Sequence, residues 1–329
     1  MREIIKTKDL KVGMYIVLPA RWMNHPFLTN QFVIKSDDQI KKITEYGFEE
    51  IAIDTAKGAA PVKAAPEQKS IKDEFMVPPI PWEPEKLVPP ELREAIRDKT
   101  LAPEKKSRIV YESSIKLMGN LLKDPKVENI KEAKKGIAEV VDLIISDDAT
   151  SSHLLKITAY DYYTYTHSVN VGVLSVLLSK SLFRKSYAHD MHELGAGFFL
   201  HDIGKVRVDP AIINKPGRLT DEEMRIIRQH PTLGYELLSE TNQLTEECKI
   251  IVMQHHEREN GIGYPKGLRG TDIHMYGRIC CIADVYDALT SERSYKLRMN
   301  TFNSLKLMKE EMLHHFQKDI FEKFVLLFT

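Results

Sequence analysis

The sequence predicts a multi-domain protein: a large all-α domain preceded by a small α+β module. Three observations carry this. The chain has 329 residues, enough for two domains. Eight of its sixteen prolines fall between Pro61 and Pro90, among Ala, Lys and Glu, so the composition changes sharply there. From Glu91 onward, apolar residues recur three and four positions apart almost without interruption, which is the helical period.

Residues 1–56 carry the signals of the small module. Asp9 to Val17 is rich in β-branched and aromatic residues around Gly13 and predicts a strand. Asn24-His25-Pro26-Phe27 predicts a turn, with His25 a surface residue, and Gln31 to Lys35 predicts a second strand. Ser36 is placed to cap a helix from about Asp37 to Tyr46 that stops at Gly47, and Phe48 to Asp54 predicts a last strand. Residues 57–90 predict an extended, semi-rigid linker, because so few apolar side chains cannot offset the entropy of ordering it.

Residues 91–329 predict the helical domain, with a core over about 160–296. Glu91 to Lys123 is helical with a break at Pro103. Ile137, Val140, Val141, Ile144 and Ile145 then mark one face of the next helix. Such a pair can build a dimer or a signal-transmitting bundle, or simply pack on the core; both readings stand. Val169 to Leu178 is apolar all round and predicts a buried helix, with His167 at its start. Thr220-Asp-Glu-Glu223 is a capping box, and His230-Pro231 opens another helix. Cys248 to His256 is an apolar helix ending in His255-His256-Glu257. Arg278 to Tyr295 returns to helix, with Asp284 interrupting an apolar run. One or two helices close the chain.

The stretch Gly195-Ala-Gly-Phe-Phe-Leu-His201-Asp202-Ile-Gly-Lys205 organises this domain. An apolar helix delivers an imidazole and a carboxylate side by side, and a carboxylate can bridge two ions. Gly204 predicts a tight turn there, and Lys205 puts a cation where an anionic substrate would sit. A helix end with a polar cap would look the same, so the downstream histidines decide. Asp284 in its apolar run is either buried with partners or a metal ligand. His189, Asp190 and His192 form a second His-Asp set at a polar helix start and read as solvated. His314-His315 reads as a solvated helix face. Asn260 to Gly270 is a Gly-rich loop without the ending of a nucleotide-binding Walker loop.

Composition limits the function classes. Lys plus Arg and Asp plus Glu are both 47, so no cationic surplus points to nucleic acid as a partner. The three cysteines, Cys248, Cys280 and Cys281, have no CxxC spacing and predict reduced thiols rather than a disulfide framework. No apolar run approaches the roughly 18 residues of a membrane span, and the first residues lack a signal-peptide core. The sequence therefore predicts a soluble cytoplasmic protein.

The ordered set His167, His201-Asp202-Ile-Gly-Lys205, His230-Pro231, His255-His256-Glu257, Gly263-Tyr264-Pro265 and Asp284 resembles the HD-GYP family. The resemblance covers roughly Tyr160 to Lys296. It implies an all-helical domain of the HD hydrolase superfamily that cleaves the bacterial second messenger cyclic di-GMP to pGpG, and often to GMP. Leu10 to Met14 and Trp22 to Phe27 are similar to the small N-terminal domain found before some members.

Residue by residue, the resemblance implies two metal ions, iron or manganese. One is held by His167, His201, Asp202 and Asp284, the other by Asp202, His230, His255 and His256. It implies a metal-bridging hydroxide as nucleophile, Asp202 and Lys205 as catalytic residues, and Lys205, Asp287, Arg293 and Lys296 as substrate contacts. Two positions depart from the family pattern. Tyr163 stands where some members carry a Glu that helps bind a third metal, which predicts a two-metal site, and Asn260 stands where an Asp is frequent. Protein partners through the Gly-Tyr-Pro loop or the N-terminal domain are compatible with this reading, and the amphipathic helix pair before the core allows a homodimer. The competing functions are a cyclic di-GMP receptor with little turnover, and a phosphodiesterase for another cyclic dinucleotide such as cyclic GMP-AMP. The intact ligand set favours hydrolysis of cyclic di-GMP.

Overall fold

The computed structural model describes residues 2–17, 31–45, 50–55, 57, 87–158, 166–184, 186, 188–215, 217–291 and 299–329. Tyr163, Arg293, Lys296, His25 and most of the proline-rich stretch therefore lie outside the described residues. Two compact units emerge. One holds the N-terminal strands, within residues 1–83; the other is helical and covers 84–291 and 301–329.

The N-terminal unit is a four-stranded antiparallel sheet in the order β1-β4-β2-β3. Its strands are β1 (Arg2–Lys6), β2 (Tyr15–Val17), β3 (Gln31–Val33) and β4 (Glu50–Asp54). Helix α1 (Asp37–Glu45) joins β3 to β4, and Ser36 Oγ accepts the Gln39 N–H at 3.4 Å, as an N-cap should. Leu10, Met14, Ile16, Ile34, Ile43, Ile51 and Ile53 form its core. Two sequence expectations change. Asp9 to Val17 is not one strand: Thr7–Asp9 is a 3₁₀ turn, and Gly13 adopts φ +96° before β2 begins. Arg2–Lys6 is a strand that sequence reading missed. It pairs residue for residue with β4, from Arg2 opposite Asp54 to Lys6 opposite Glu50. That pairing is remote in sequence, so no local pattern announces it.

The helical unit opens with α2 (Pro90–Arg97), α3 (Pro103–Lys123), α4 (Val127–Ser146) and α5 (Asp148–Thr158). The break expected at Pro103 is present: α2 ends at Arg97 and Pro103 opens α3, where its missing N–H costs nothing in the first turn. On α4, Ile137, Val140, Val141 and Ile144 are buried, and Ile145 is exposed. Helix α6 (Thr166–Leu182) is buried on every side from Ser168 to Ser179. It packs against α3, α4, α7 (Met191–Phe199) and α12 (Met275–Thr290). Between α7 and α12 lie α8 (Pro210–Ile213), α9 (Asp221–Ile227), α10 (His230–Thr241) and α11 (Glu246–Gln254). Thr220 and Glu223 form the expected capping box on α9. Helices α13 (Thr301–Glu311) and α14 (Lys318–Val325) close the chain. Among the described residues, no helix is long and apolar enough to cross a membrane.

Candidate metal centre

Five helices bring one polar cluster together inside the apolar unit. His167 is the second residue of α6. His201 and Asp202 follow the C-terminal end of α7, just before a 3₁₀ turn over Ile203–Arg207. His230 begins α10 directly after α9, His255 and His256 follow α11, and Asp284 lies mid-way along α12. His201, His230 and His255 are fully buried, and Asp202 and Asp284 nearly so.

The ligand atoms form two groups that share one residue. Those of His167, His201 and Asp202 lie within 4.8 Å of one another, as do those of Asp202, His230, His255 and His256. Asp202 faces both groups with different oxygens. Its Oδ2 lies 3.3 Å from His167 Nε2 and 3.6 Å from His201 Nε2. Its Oδ1 lies 3.1 Å from His230 Nε2 and 3.8 Å from His255 Nε2. Asp284 also spans two histidines, with Oδ1 3.4 Å from His167 Nε2 and Oδ2 3.4 Å from His256 Nδ1.

The tautomers show what this cluster is built to hold. His201, His230 and His255 donate Nδ1–H to the carbonyls of Phe198, Ile227 and Val252 at 2.9, 2.7 and 2.8 Å. A carbonyl can only accept, so each Nδ1 carries the proton and each Nε2 presents a lone pair. Two such Nε2 atoms, of His230 and His255, face each other at 3.1 Å, and those of His201 and His167 face each other at 3.2 Å. Lone pairs converging around carboxylates do not satisfy one another; a cation satisfies them all. Among the described residues, Asp202 Oδ1 likewise finds no hydrogen-bond donor. The residues therefore fit bound metal, and the mixed imidazole and carboxylate set suits iron, manganese or zinc.

The electrostatics agree. Burial, reinforced by neighbouring imidazoles, holds His255 and His256 well below the usual histidine range, and burial lowers His201. Burial opposes ionisation of Asp202 and Asp284, but Lys205 and neighbouring histidines outweigh it at Asp202, as His256, His167 and His201 do at Asp284, and both carboxyls stay well below their usual range. His167 moves the other way. Burial disfavours its charge, yet Asp202, Asp284 and Asp287 together raise it well above the ordinary value.

Lys205 is half-exposed and its ammonium is bound to Asp202 Oδ2. Gly204 lies in the expected tight turn, but its φ is not positive, so the turn alone does not require a glycine. A Cβ there would sit 2.0 Å from the His230 carbonyl oxygen and 2.4 Å from Gly234 N. The glycine lets the Asp202 segment lie directly against α10. Asp287 is also placed differently from the nucleotide contact that the resemblance implies. It is fully buried, and its two oxygens accept from His167 Nδ1 and Asn170 Nδ2, both at 2.7 Å. Both carboxylate oxygens are thus engaged inside the protein.

The Gly-Tyr-Pro loop folds back onto the end of α11. Tyr264 N–H donates to the His256 carbonyl at 3.2 Å, and the Tyr264 ring lies 4.6 Å from the His256 ring. Gly263 permits this, because a Cβ would meet Glu257 Cα and His256 O, both at 2.5 Å. The Tyr264–Pro265 peptide is cis. Sequence reading assigned Glu257 no role, yet its buried carboxylate accepts the Lys266 and Leu268 N–H groups at 2.8 and 2.9 Å and ties the loop down. Its place directly after two histidines was the available signal.

The remaining histidines lie elsewhere. Asp190 caps α7 and His192 is exposed, as expected, but His189 is half-buried. Its ring stacks 3.8 Å from Phe183, and its Nδ1 meets the Tyr276 hydroxyl at 2.7 Å. His315 is not on a solvated helix face: it is half-buried in a 3₁₀ turn, and its carbonyl accepts the Glu259 N–H at 3.0 Å.

Comparison with known proteins agrees with this geometry. The HD domain family matches residues 179–320, and a domain of unknown function, DUF3391, matches residues 3–146. The chain is 30% identical over 331 residues to the cyclic di-GMP phosphodiesterase PA4108 of Pseudomonas aeruginosa, covering 99% of this chain and 76% of that protein. It is 47% identical over 98 residues to the cyclic di-GMP phosphodiesterase response regulator RpfG of Xanthomonas campestris, covering 30% of this chain and 26% of that one. Bd1817, an HDG"Y"P protein from Bdellovibrio bacteriovorus, shares the fold over 100% of this chain and 99% of its own, with a TM-score of 0.60 at 16% identity. With its clustered His and Asp ligands and a Gly-Tyr-Pro loop folded against them, the chain belongs to the HD-GYP branch of the HD-domain hydrolases.

Proposed function

We propose that this protein is a metal-dependent phosphodiesterase that hydrolyses cyclic di-GMP to pGpG or GMP. The observation that carries this reading is Asp202, which turns one oxygen to His167 and His201 and the other to His230 and His255. That is the arrangement a carboxylate needs to bridge two cations. The names of the two relatives supply the substrate.

We assign two divalent ions, iron or manganese, to the two groups, with Asp284 completing the first. Bound there, they would polarise a phosphodiester and lower the pKa of water enough to give a nucleophile at neutral pH. The protein's own groups do the rest. Lys205 holds a positive charge beside Asp202 with part of its side chain open to solvent, placed to stabilise charge growing on a phosphoryl oxygen. Tyr264, its ring against His256, offers an aromatic wall to a base. Arg293 and Lys296 are proposed as further nucleotide contacts on the resemblance, and the N-terminal unit as a regulatory module.

The test is hydrolysis of cyclic di-GMP by protein prepared without oxygen and loaded with iron or manganese, with products separated by chromatography. Metal-dependent pGpG or GMP is the expected result. No product from a sample shown to carry metal would overturn the assignment. Cyclic GMP-AMP in a parallel reaction checks the base preference.

A further inference from the structure

His167 is held differently from His201, His230 and His255. His201, His230 and His255 each lean on the carbonyl three residues back. Those carbonyls lie at the C-terminal ends of α7, α9 and α11, where the last turn leaves carbonyls without intrahelical partners. His167 stands in the first turn of α6, where the orphan groups are N–H donors instead. Its Nδ1 turns to Asp287, 2.7 Å away and one helical turn beyond Asp284 on α12. The other Asp287 oxygen takes Asn170 Nδ2 at 2.7 Å, and Asn170 Oδ1 takes the Tyr111 hydroxyl at 2.5 Å. Tyr111, Asn170 and Asp287 are all buried.

The chain of bonds can run in one direction. An ionised carboxylate only accepts, so Asn170 must turn its amide nitrogen to Asp287 and its carbonyl to Tyr111, which donates. The neutral His167 that a metal ion requires must then carry its one proton on Nδ1, which leaves the Nε2 lone pair aimed at Asp202, Asp284 and His201. We propose that Tyr111, Asn170 and Asp287 form a positioning chain that fixes the tautomer and aim of His167 toward a metal ion. Asp287 thus serves the ligand rather than the nucleotide. A carboxylate behind an imidazole also makes it a more basic donor than a carbonyl does. The chain extends the centre to α3, which lies outside the residues matched by the HD domain family and inside those matched by DUF3391. The inference rests on the metal-dependent reading above.

The test uses full-length, metal-depleted protein titrated with Mn²⁺, the unbound ion being read by its electron paramagnetic resonance signal. Asp287→Asn removes the charge and is expected to weaken Mn²⁺ binding by about 10–100-fold, the usual cost of losing such an outer partner. Tyr111→Phe keeps the ring and is expected to weaken it in the same direction by a smaller factor. At saturating Mn²⁺ both variants should keep the wild-type KM for cyclic di-GMP. Unchanged Mn²⁺ affinity in both, even with a lowered melting temperature, would overturn the proposal. So would a raised KM with unchanged affinity in Asp287→Asn, the signature of a nucleotide contact. If circular dichroism shows that Asp287→Asn does not fold, Tyr111→Phe decides by the same titration. Wild-type protein that takes up no Mn²⁺ would end the metal reading and this inference together; uptake with unchanged variants would end this one alone.

Discussion

Individual side chains carry definite expectations. Asp202→Ala removes the oxygens that face both histidine groups and leaves Lys205 without its partner. It should abolish turnover and lower bound metal, read by activity and by elemental analysis of the same sample. His189→Ala and His314→Ala should leave metal content unchanged, because His189 is engaged by Phe183 and Tyr276 and His314 is exposed. Loss of metal in either would mean that the ligand set is wrong. Glu257→Gln keeps the shape of the side chain but replaces two charge-assisted acceptors with one neutral one. Hydrogen bonds to charged groups contribute about 1.5–3 kcal/mol, so amide exchange at Lys266 and Leu268 should accelerate. The clustered residues were legible in the sequence through the order of several separated motifs; adjacent pairs alone did not single them out, since His189-Asp190 and His314-His315 lie outside the cluster. Glu257 and Asp287 were not legible, because a carboxylate's role depends on which donors surround it. Those donors are the N–H groups nine and eleven residues on for Glu257, and a helix 117 and 120 positions earlier for Asp287.

Between elements, the contact most exposed to substitution is that of the Ile203–Arg207 turn with α10. Gly204→Ala would drive a methyl group into the His230 carbonyl and Gly234 backbone. Backbone cannot yield as a side-chain tip can, so the turn and helix must separate, at about 1–3 kcal/mol or more. The same shift would carry Asp202 away from His230. Differential scanning calorimetry should show a lower melting temperature, with bound metal falling in parallel; a stable variant with full metal content would contradict this packing. The sequence shows a glycine beside the His-Asp pair, and a tight turn was the local explanation. The requirement proved to be close approach by a helix that begins more than twenty residues later, which no window around Gly204 contains.

Across the helical unit, metal and folding should be coupled. Five helices or helix ends contribute candidate ligands to one buried cluster, so an ion bound only by the folded form stabilises it. At a metal concentration 100 times Kd this amounts to about 2.7 kcal/mol per site. Chelation should therefore lower the melting temperature, measured by circular dichroism, and an unchanged transition would argue against a structural share for the metal. Acid should act on the metal-free protein in a definite direction. His201, His255 and His256 have lowered folded-state values, so they contribute stability that is full above the unfolded value, about 6.5, and fades as pH falls below it. Asp202 and Asp284 add losses at lower pH, below about 3.9. His167, raised by its carboxylates, opposes the trend in part: its contribution is full below about 6.5 and is lost as pH rises through its higher folded value. Urea unfolding of metal-depleted protein should give lower stability near pH 5 than near pH 7; the reverse would mean that His167 dominates the cluster.

The sequence by itself determined the helical period of the large unit, the buried character of α6, the capping box on α9 and the histidines and carboxylates able to bind metal. The helical features are properties of spacing within short windows, where a 3.6-residue period declares itself, and the candidate ligands follow from the order of several separated His and Asp motifs. Only the tertiary structure decided which oxygens of Asp202 face which histidines, that Asp287 backs His167 instead of facing outward, and that Tyr111 on α3 reaches the same network. It also decided that Arg2–Lys6 is a strand, through pairing with β4. Each of these rests on contacts between segments tens to more than a hundred residues apart. The direction of a hydrogen bond or the face of a carboxylate exists only once those segments have packed.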